Sequence, residues 1–302
     1  MHRAVISIGT NSTRALLAAF DADASAIVWQ RSIGTRIGEG LRESGHLGEL
    51  PMRRTLDAVG EYVRELRGRA DSIVAIATSA LRRAENALAF AVRVRELVGA
   101  DLVILDGPDE ARYSFLGAVA ALPRAERYGV ADSGGGSTEY ATGTHDRVER
   151  TVSCEIGAVR LTEAVPILGG DRGAIDDASM ADAMARAVAI LAPVGALPAV
   201  DRLVFVGGSA TTAAAILRGN RDPFESFELS RTNLRLALAQ LRALNLDARR
   251  HLPGMNPQRA DILPAGLILL DAIFALAGHE RATVSTSDLL YGYLLAQRES
   301  HV

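Results

Sequence analysis

Two short segments constrain this chain more than any other feature. IGTNST at 8–13 and DSGGGSTE at 132–139 each end an apolar, strand-like run, AVISIG (4–9) and YGVA (128–131), and each turns on small residues before a pair of hydroxyls. STRALLAAFD follows the first turn, and STEYATGT and VERTVSC follow the second, so both read as strand, turn, strand. The same device after the first strand of each half implies a duplicated fold. Glycine lets backbone N–H groups approach an anion with no Cβ in the way, and Ser or Thr hydroxyls add donors. A third loop of the kind, GGSATT within LVFVGGSATTAAAIL (203–217), ends another apolar strand and opens an alanine-rich helix. One such turn is ordinary; three of one type in two matching halves point to a phosphate-binding cleft.

The intervening chain alternates. Helical spacing covers 51–70, where Leu56, Val59, Val63 and Leu66 recur and Pro51 stands at the start, and also 85–99, 108–122, 175–192 and 231–244. Apolar runs at 72–80 and 101–107 read as strands. Strands alternating with helices predict an α/β protein with mixed sheets and helical cover. At 302 residues the chain exceeds what one core usually serves, so two domains are expected, 1–123 and 124–302, with a tight hinge near Pro123.

Composition excludes several classes. Hydrophobic residues make up 48% and charged ones 23%, with a net charge of −3, so no nucleic-acid partner is expected. All 33 basic residues are arginine, which leaves no P-loop lysine and no Schiff-base lysine. No loop fits GxGxxG followed by an acid about twenty residues later. The single cysteine, Cys154, is expected to be buried; it leaves no internal disulfide or multi-cysteine zinc site and fits a reducing compartment. No secretion signal is evident at the N-terminus, and the apolar stretches 189–200 and 262–277 are broken by Pro or Asp. No membrane partner and a cytoplasmic location are expected. The His145-Asp146 dipeptide lacks the further histidines of a metal site and is expected in a surface loop.

Eight ordered segments carry a resemblance: IGTNSTR (8–14), RIGEGL (36–41), ATSALRRAEN (77–86), PDEARYSFLG (108–117), DSGGGSTEY (132–140), IGAVRLTE (156–163), VGGSATTAA (206–214) and NPQRADILPAG (256–266). Over nearly the whole chain they resemble the exopolyphosphatase/guanosine pentaphosphate phosphohydrolase (Ppx/GppA) family, in its short two-domain form. The resemblance implies two ribonuclease H-like domains of the actin-like ATPase superfamily, with mixed central sheets flanked by helices and the active site in the interdomain cleft. The last helix, about 287–300, is expected to pack back on the N-terminal domain.

By the same resemblance Glu110 is the catalytic carboxylate that activates water, with Asp109 its competitor. Gly9, Thr10, Asn11 and Ser12 close on the phosphates from one side and Gly134, Gly135, Gly136, Ser137 and Thr138 cradle them from the other. Gly207, Gly208 and Ser209 form a third wall, and Arg82 contacts phosphate. Asp132 and Glu139 flank the second loop and hold a divalent cation, for which Mg²⁺ is suited because it keeps several waters and needs few carboxylates. Arg160 and Arg259 are expected to be structural, pairing with carboxylates. The chain departs from the family at Ser7 and Thr286, where Asp is usual, and at Leu290, where Arg is usual, with Asp288 a nearby substitute.

The function implied is release of terminal orthophosphate from inorganic polyphosphate. Guanosine pentaphosphate is the alternative substrate, and a catalytically weak polyphosphate- or alarmone-binding protein is the non-enzymatic alternative. A nucleotide-dependent kinase or ATPase fits less well, because 302 residues leave little room for an adenosine pocket. A homodimer is the default assembly.

Overall fold

Each small-residue loop joins two antiparallel strands, and each hairpin seeds a sheet. The computed structural model describes residues 1–21, 24–125, 127–171 and 173–299. In the first sheet β1 (His2–Ile8) pairs antiparallel with β2 (Thr13–Phe20), and β2 with β3 (Ser25–Ile33). Beyond helices α1 (Leu41–Ser44) and α2 (Glu49–Leu66), β4 (Ser72–Ala77) returns parallel to β1. After α3 (Ser79–Arg83) and α4 (Ala87–Val98), β5 (Leu102–Ile104) lies parallel to β4, giving the order β3-β2-β1-β4-β5.

Helix α5 (Gly107–Ala120) leads to the second sheet, of β6 (Tyr128–Ser133), β7 (Thr138–Thr144) and β8 (Arg147–Cys154) as an antiparallel meander. Past α6 (Ala158–Ala164) and α7 (Asp177–Gly195), β9 (Arg202–Val206) lies parallel to β6. Then come α8 (Gly208–Arg218), β10 (Ser226–Ser230), α9 (Arg231–Arg242), α10 (Leu246–Arg250), α11 (Leu263–Ala277), β11 (Arg281–Ser285) and α12 (Leu289–Glu299). The order is β10-β11-β9-β6-β7-β8. Without the antiparallel edge strand β10, this repeats the first sheet: a three-stranded meander, then two parallel strands.

Packing crosses between the halves. Helix α5 buries Ala111, Phe115, Ala118 and Val119 with Tyr128, Val130, Ala141, Val204 and Val206, all from the second sheet. Helix α12 puts Leu289, Leu290, Tyr293 and Leu294 with Val5, Leu16, Ala18 and Ile76 of the first sheet. At about 1.5–3 kcal/mol for each fully buried large apolar side chain, these exchanges hold the sheets together across the cleft. Helix α7, long and apolar enough by length and composition to span a bilayer, turns Ala183, Ala187, Leu191 and Val194 into the core shared with α11. Cys154 is buried at the end of β8 and is a free thiol.

Candidate active site

The loops that end β1 and β6 fold alike. Gly9 N–H donates to the Ser12 carbonyl at 3.0 Å, and Gly134 N–H donates to the Ser137 carbonyl at 3.0 Å. They meet tip to tip: a Cβ on Gly136 would lie 2.6 Å from Thr10 Oγ1 and 2.7 Å from Ser79 Oγ. Only glycine permits that approach, so the bare backbone serves closure as well as donation.

Between the loops lies a cavity of about 80 Å³ lined by Gly9, Thr10, Asn11, Ser12, Glu110, Asp132, Gly134, Gly135, Gly136, Ser137, Gly207 and Gly208. Ser7, Arg14, Ser79 and Arg259 line it as well. Of the residues picked out in the sequence, Arg82, Thr138, Glu139 and Ser209 fall outside this lining. Thr138 Oγ1 donates to the Ile156 carbonyl at 2.7 Å, and Ser209 is buried against Gly266 of α11.

Glu110 owes its place to the first turn of α5. Asp106 caps that helix, its side chain accepting from Asp109 N–H at 2.8 Å, and Pro108 stands in the first turn. Asp109 then faces partly outward, whereas Glu110 points into the cleft at 7% exposure. One helical turn on, Ser114 Oγ donates to Asp132 Oδ2 at 2.8 Å. Burial pushes Glu110 up to about 7, against the opposing hydrogen bond and charge of Arg82. Burial, helped by the negative charge of Asp288, pushes Asp132 up to about 6. Glu139 is raised well above the usual carboxylate range by burial and then by the charge of Glu110.

Asp132 and Glu139 are direct partners on β6 and β7 but differ in access. Asp132 lines the cleft, and its Oδ1 accepts no hydrogen bond among the described residues. Glu139 is 1% exposed and accepts from Ser153 Oγ at 2.9 Å. Among the described residues no three His, Cys, Asp or Glu side chains converge to hold a metal. One open carboxylate beside the glycine loops suits Mg²⁺, which takes one or two carboxylates together with substrate phosphates; the donor set fits through Asp132.

Arginines form the opposite wall. Arg14 Nη2 pairs with Asp288 Oδ2 at 2.6 Å. The expected pairing of Arg259 with a carboxylate is not found: among the described residues it makes no ion pair. Its guanidinium lies over Gly208, where a Cβ would collide with it, and burial and the charge of Arg14 bring it down to about 10. Arg160 does pair with a carboxylate, Glu155, at 2.6 Å. Arg36, the one described non-glycine residue with positive φ (51°), clasps the halves by pairing with Asp261 at 2.6 Å, while Gly34 N–H donates to Gln258 Oε1 at 2.9 Å. Leu290 is buried with the first-sheet core and does not line the cavity between the loops.

Sequence reasoning passes over Arg14, Ser79 and Ser114. Arg14 closes IGTNSTR, in plain view but with no role read for it. Ser79 is 1% exposed, and its Oγ has no hydrogen-bond partner among the described residues. Ser114 lies four residues from Glu110 on one face of a helix, a spacing that could have flagged it.

Two half-molecules of one topology, closing glycine loops and a buried carboxylate over a cleft, define an actin-like two-domain fold. The chain belongs to the Ppx/GppA phosphatase family, whose model matches residues 17–301, and so is a hydrolase of phosphoanhydride bonds. It is similar to exopolyphosphatase 2 of Mycobacterium tuberculosis, at 30% identity over 97% of both chains. It is 27% identical to the bifunctional 3-dehydroquinate synthase/phosphatase of Fusobacterium nucleatum, covering 97% of this chain but only 46% of that longer protein. Among solved structures, the Ppx/GppA family member of Aquifex aeolicus superposes with a TM-score of 0.82 at 26% identity, covering 100% of this chain and 98% of that one. An exopolyphosphatase from Cytophaga hutchinsonii shares the fold, with a TM-score of 0.88 at 24% identity over 99% and 98% of the two chains.

Proposed function

We propose that this chain releases terminal orthophosphate from inorganic polyphosphate. The observation that supports it most is the position of Glu110, a buried carboxylate poised near neutrality at the floor of a cleft walled by two glycine loops. A base works best when its pKa lies near the working pH, and such groups typically contribute 10²–10⁴-fold. Glu110 takes the proton of the attacking water at its free oxygen, Oε1, which accepts no hydrogen bond among the described residues. The backbone N–H groups of Gly135 and Gly136 and the hydroxyls of Thr10, Ser12 and Ser137 bind the non-bridging oxygens, where charge develops. Arg14 and Arg259 add cationic charge on the side of the leaving chain. Asp132 would hold Mg²⁺, whose chemistry is to neutralise phosphate charge.

A second chamber of about 300 Å³ opens across Gly207, Gly208, Arg14 and Arg259. Arg31, Gln30, Ser32, Thr211 and Asn256 line it, and among the described residues it has no aromatic ring on which a base would stack. A phosphate chain suits this chamber better than a guanosine does, which is why polyphosphate is preferred to guanosine pentaphosphate here. Incubation of the purified protein with Mg²⁺ and, separately, polyphosphate, guanosine pentaphosphate and ATP, with measurement of released phosphate, tests the reading. Release from polyphosphate that disappears in Glu110→Gln supports it; equal release by that variant removes Glu110 from the role.

A further inference from the structure

Arg82 does not line the cavity between the loops. Its guanidinium is 17% exposed as a side chain, and Nη1 donates both to the Leu105 carbonyl at 2.9 Å and to Glu110 Oε2 at 2.6 Å. On its other edge Nη2 is buried with no hydrogen-bond partner among the described residues, held only at ion-pair range by Glu139 Oε1 at 3.9 Å and Glu155 Oε1 at 4.0 Å. Every hydrogen bond and ion pair it makes among the described residues is to an oxygen of the protein.

The backbone explains why. Helix α3 is one turn long and begins just past the end of β4. Leu105, the residue after β5, presents its carbonyl to Arg82 because Leu105 N–H is itself fixed to the Ala77 carbonyl at 2.9 Å. The guanidinium is thus anchored to the first sheet at Leu105 and reaches a helix that packs on the second sheet. Its contact with Glu110 ties the first sheet to that helix.

We infer that Arg82 is a positioning residue, holding Oε2 of Glu110 so that Oε1 alone is presented to the cleft, and that it does not grip the phosphate chain. A carboxylate free to rotate about its last torsion offers either oxygen and samples a broad range of angles. Clamping one oxygen to a cation fixed to the backbone removes that freedom, and misplacement of a reacting group by about 1 Å can cost 10²-fold in rate. The cation also keeps a buried carboxyl ionised, which a base requires. Ser79, three residues earlier on α3, lines the cleft in its place, so the helix divides its work between substrate and base.

The inference rests on the hydrolase reading for its catalytic part, and the experiment separates the two. Arg82→Ala is expected to lower kcat by about 10–100-fold while KM for polyphosphate stays within about twofold. Free guanidinium ion should restore part of the lost kcat, and Arg82→Lys should retain part of it, because a point charge reaches only one of the two acceptors. In a Glu110→Gln background, where turnover is lowered by about 10²–10⁴-fold, the further change Arg82→Ala should leave the dissociation constant for polyphosphate unchanged by calorimetry. A tenfold weakening of binding or rise in KM would overturn the inference and return Arg82 to the phosphate. The pairing is also read without turnover, as a cycle of unfolding temperatures: Arg82→Ala strands a buried carboxyl, so Arg82→Ala/Glu110→Gln should unfold at a higher temperature than Arg82→Ala alone. Additive shifts would overturn it. If the unmodified protein releases no phosphate, the hydrolase reading fails, while the binding comparison and the cycle still decide what Arg82 holds.

Discussion

The two hairpins that end in small-residue loops are alike in pattern and opposite in charge. In the first, Ser7 stands directly across from Arg14; in the second, Asp132 stands directly across from Glu139. Each pair is seven residues apart, and each loop is closed by the same glycine N–H to serine carbonyl bond at 3.0 Å. One backbone device therefore places a hydroxyl and a cation beside one loop and two carboxylates beside the other, of which Asp132 lines the cleft. The lesson is that the loop fixes the backbone at the end of each hairpin, while the residues flanking it decide which charge stands there. Ser7 fits this division: an aspartate there would face Arg14, a partner that Asp288 of the opposite half already holds at 2.6 Å.

The largest expected effect comes from the one cleft acid outside both hairpins. Glu110→Gln should lower kcat by about 10²–10⁴-fold with polyphosphate binding retained, checked by phosphate release and calorimetry. Next is the contact between the hairpins. Gly136→Ala should raise KM by about 10-fold or more, since the new methyl must push Thr10 and Ser79 apart at a cost of about 1–3 kcal/mol, and steady-state kinetics would read it. Within the second hairpin the two acids should separate: Asp132→Asn raises the Mg²⁺ concentration needed for half-maximal rate, whereas Glu139→Gln, behind the cleft, changes it little. Equal responses would merge the two roles.

Smaller still is the effect of pH on the fold. Glu110 and Asp132 have their pKa values raised in the folded state, so each contributes stability below its unfolded pKa and loses it as pH rises through the folded one. The unfolding temperature of the ligand-free protein should therefore fall between about pH 4 and about pH 7, and the slope should flatten in Glu110→Gln. A rising temperature over that range would contradict the burial argument. Least of all, Ser7→Asp should make the hairpins more alike and shift the salt dependence of KM slightly, as the new carboxylate competes with Asp288 for Arg14.

The glycine loops, the alternation of strands and helices and the acid at position 110 were legible because each is a local pattern: a turn needs small residues, a strand needs an apolar run, and Asp106 and Pro108 mark a helix start. Strand β3, with its alternating exposure, and the short helices α3 and α6 carried weaker signals. The resemblance implies a phosphate contact for Arg82; its contacts with Glu110 and Leu105 are legible only in the structure. Arg259 reads as paired, yet it lies unpaired over Gly208, among the described residues. Both arginines sit in family-like segments, and no neighbour in sequence reveals what their long side chains reach.

By itself the sequence determined that two similar halves exist, that each presents a glycine turn at the end of its first strand, and that no lysine serves the site. Local rules of backbone freedom and apolar periodicity suffice for that. Only the tertiary structure decided which of two paired acids faces the cleft, which arginine pairs with a carboxylate and which, among the described residues, does not, and that α5 and α12 change sides. Those outcomes depend on contacts between residues tens to hundreds of positions apart, such as Arg14 with Asp288 and Arg36 with Asp261, whose energies arise only when the sheets have closed on one another.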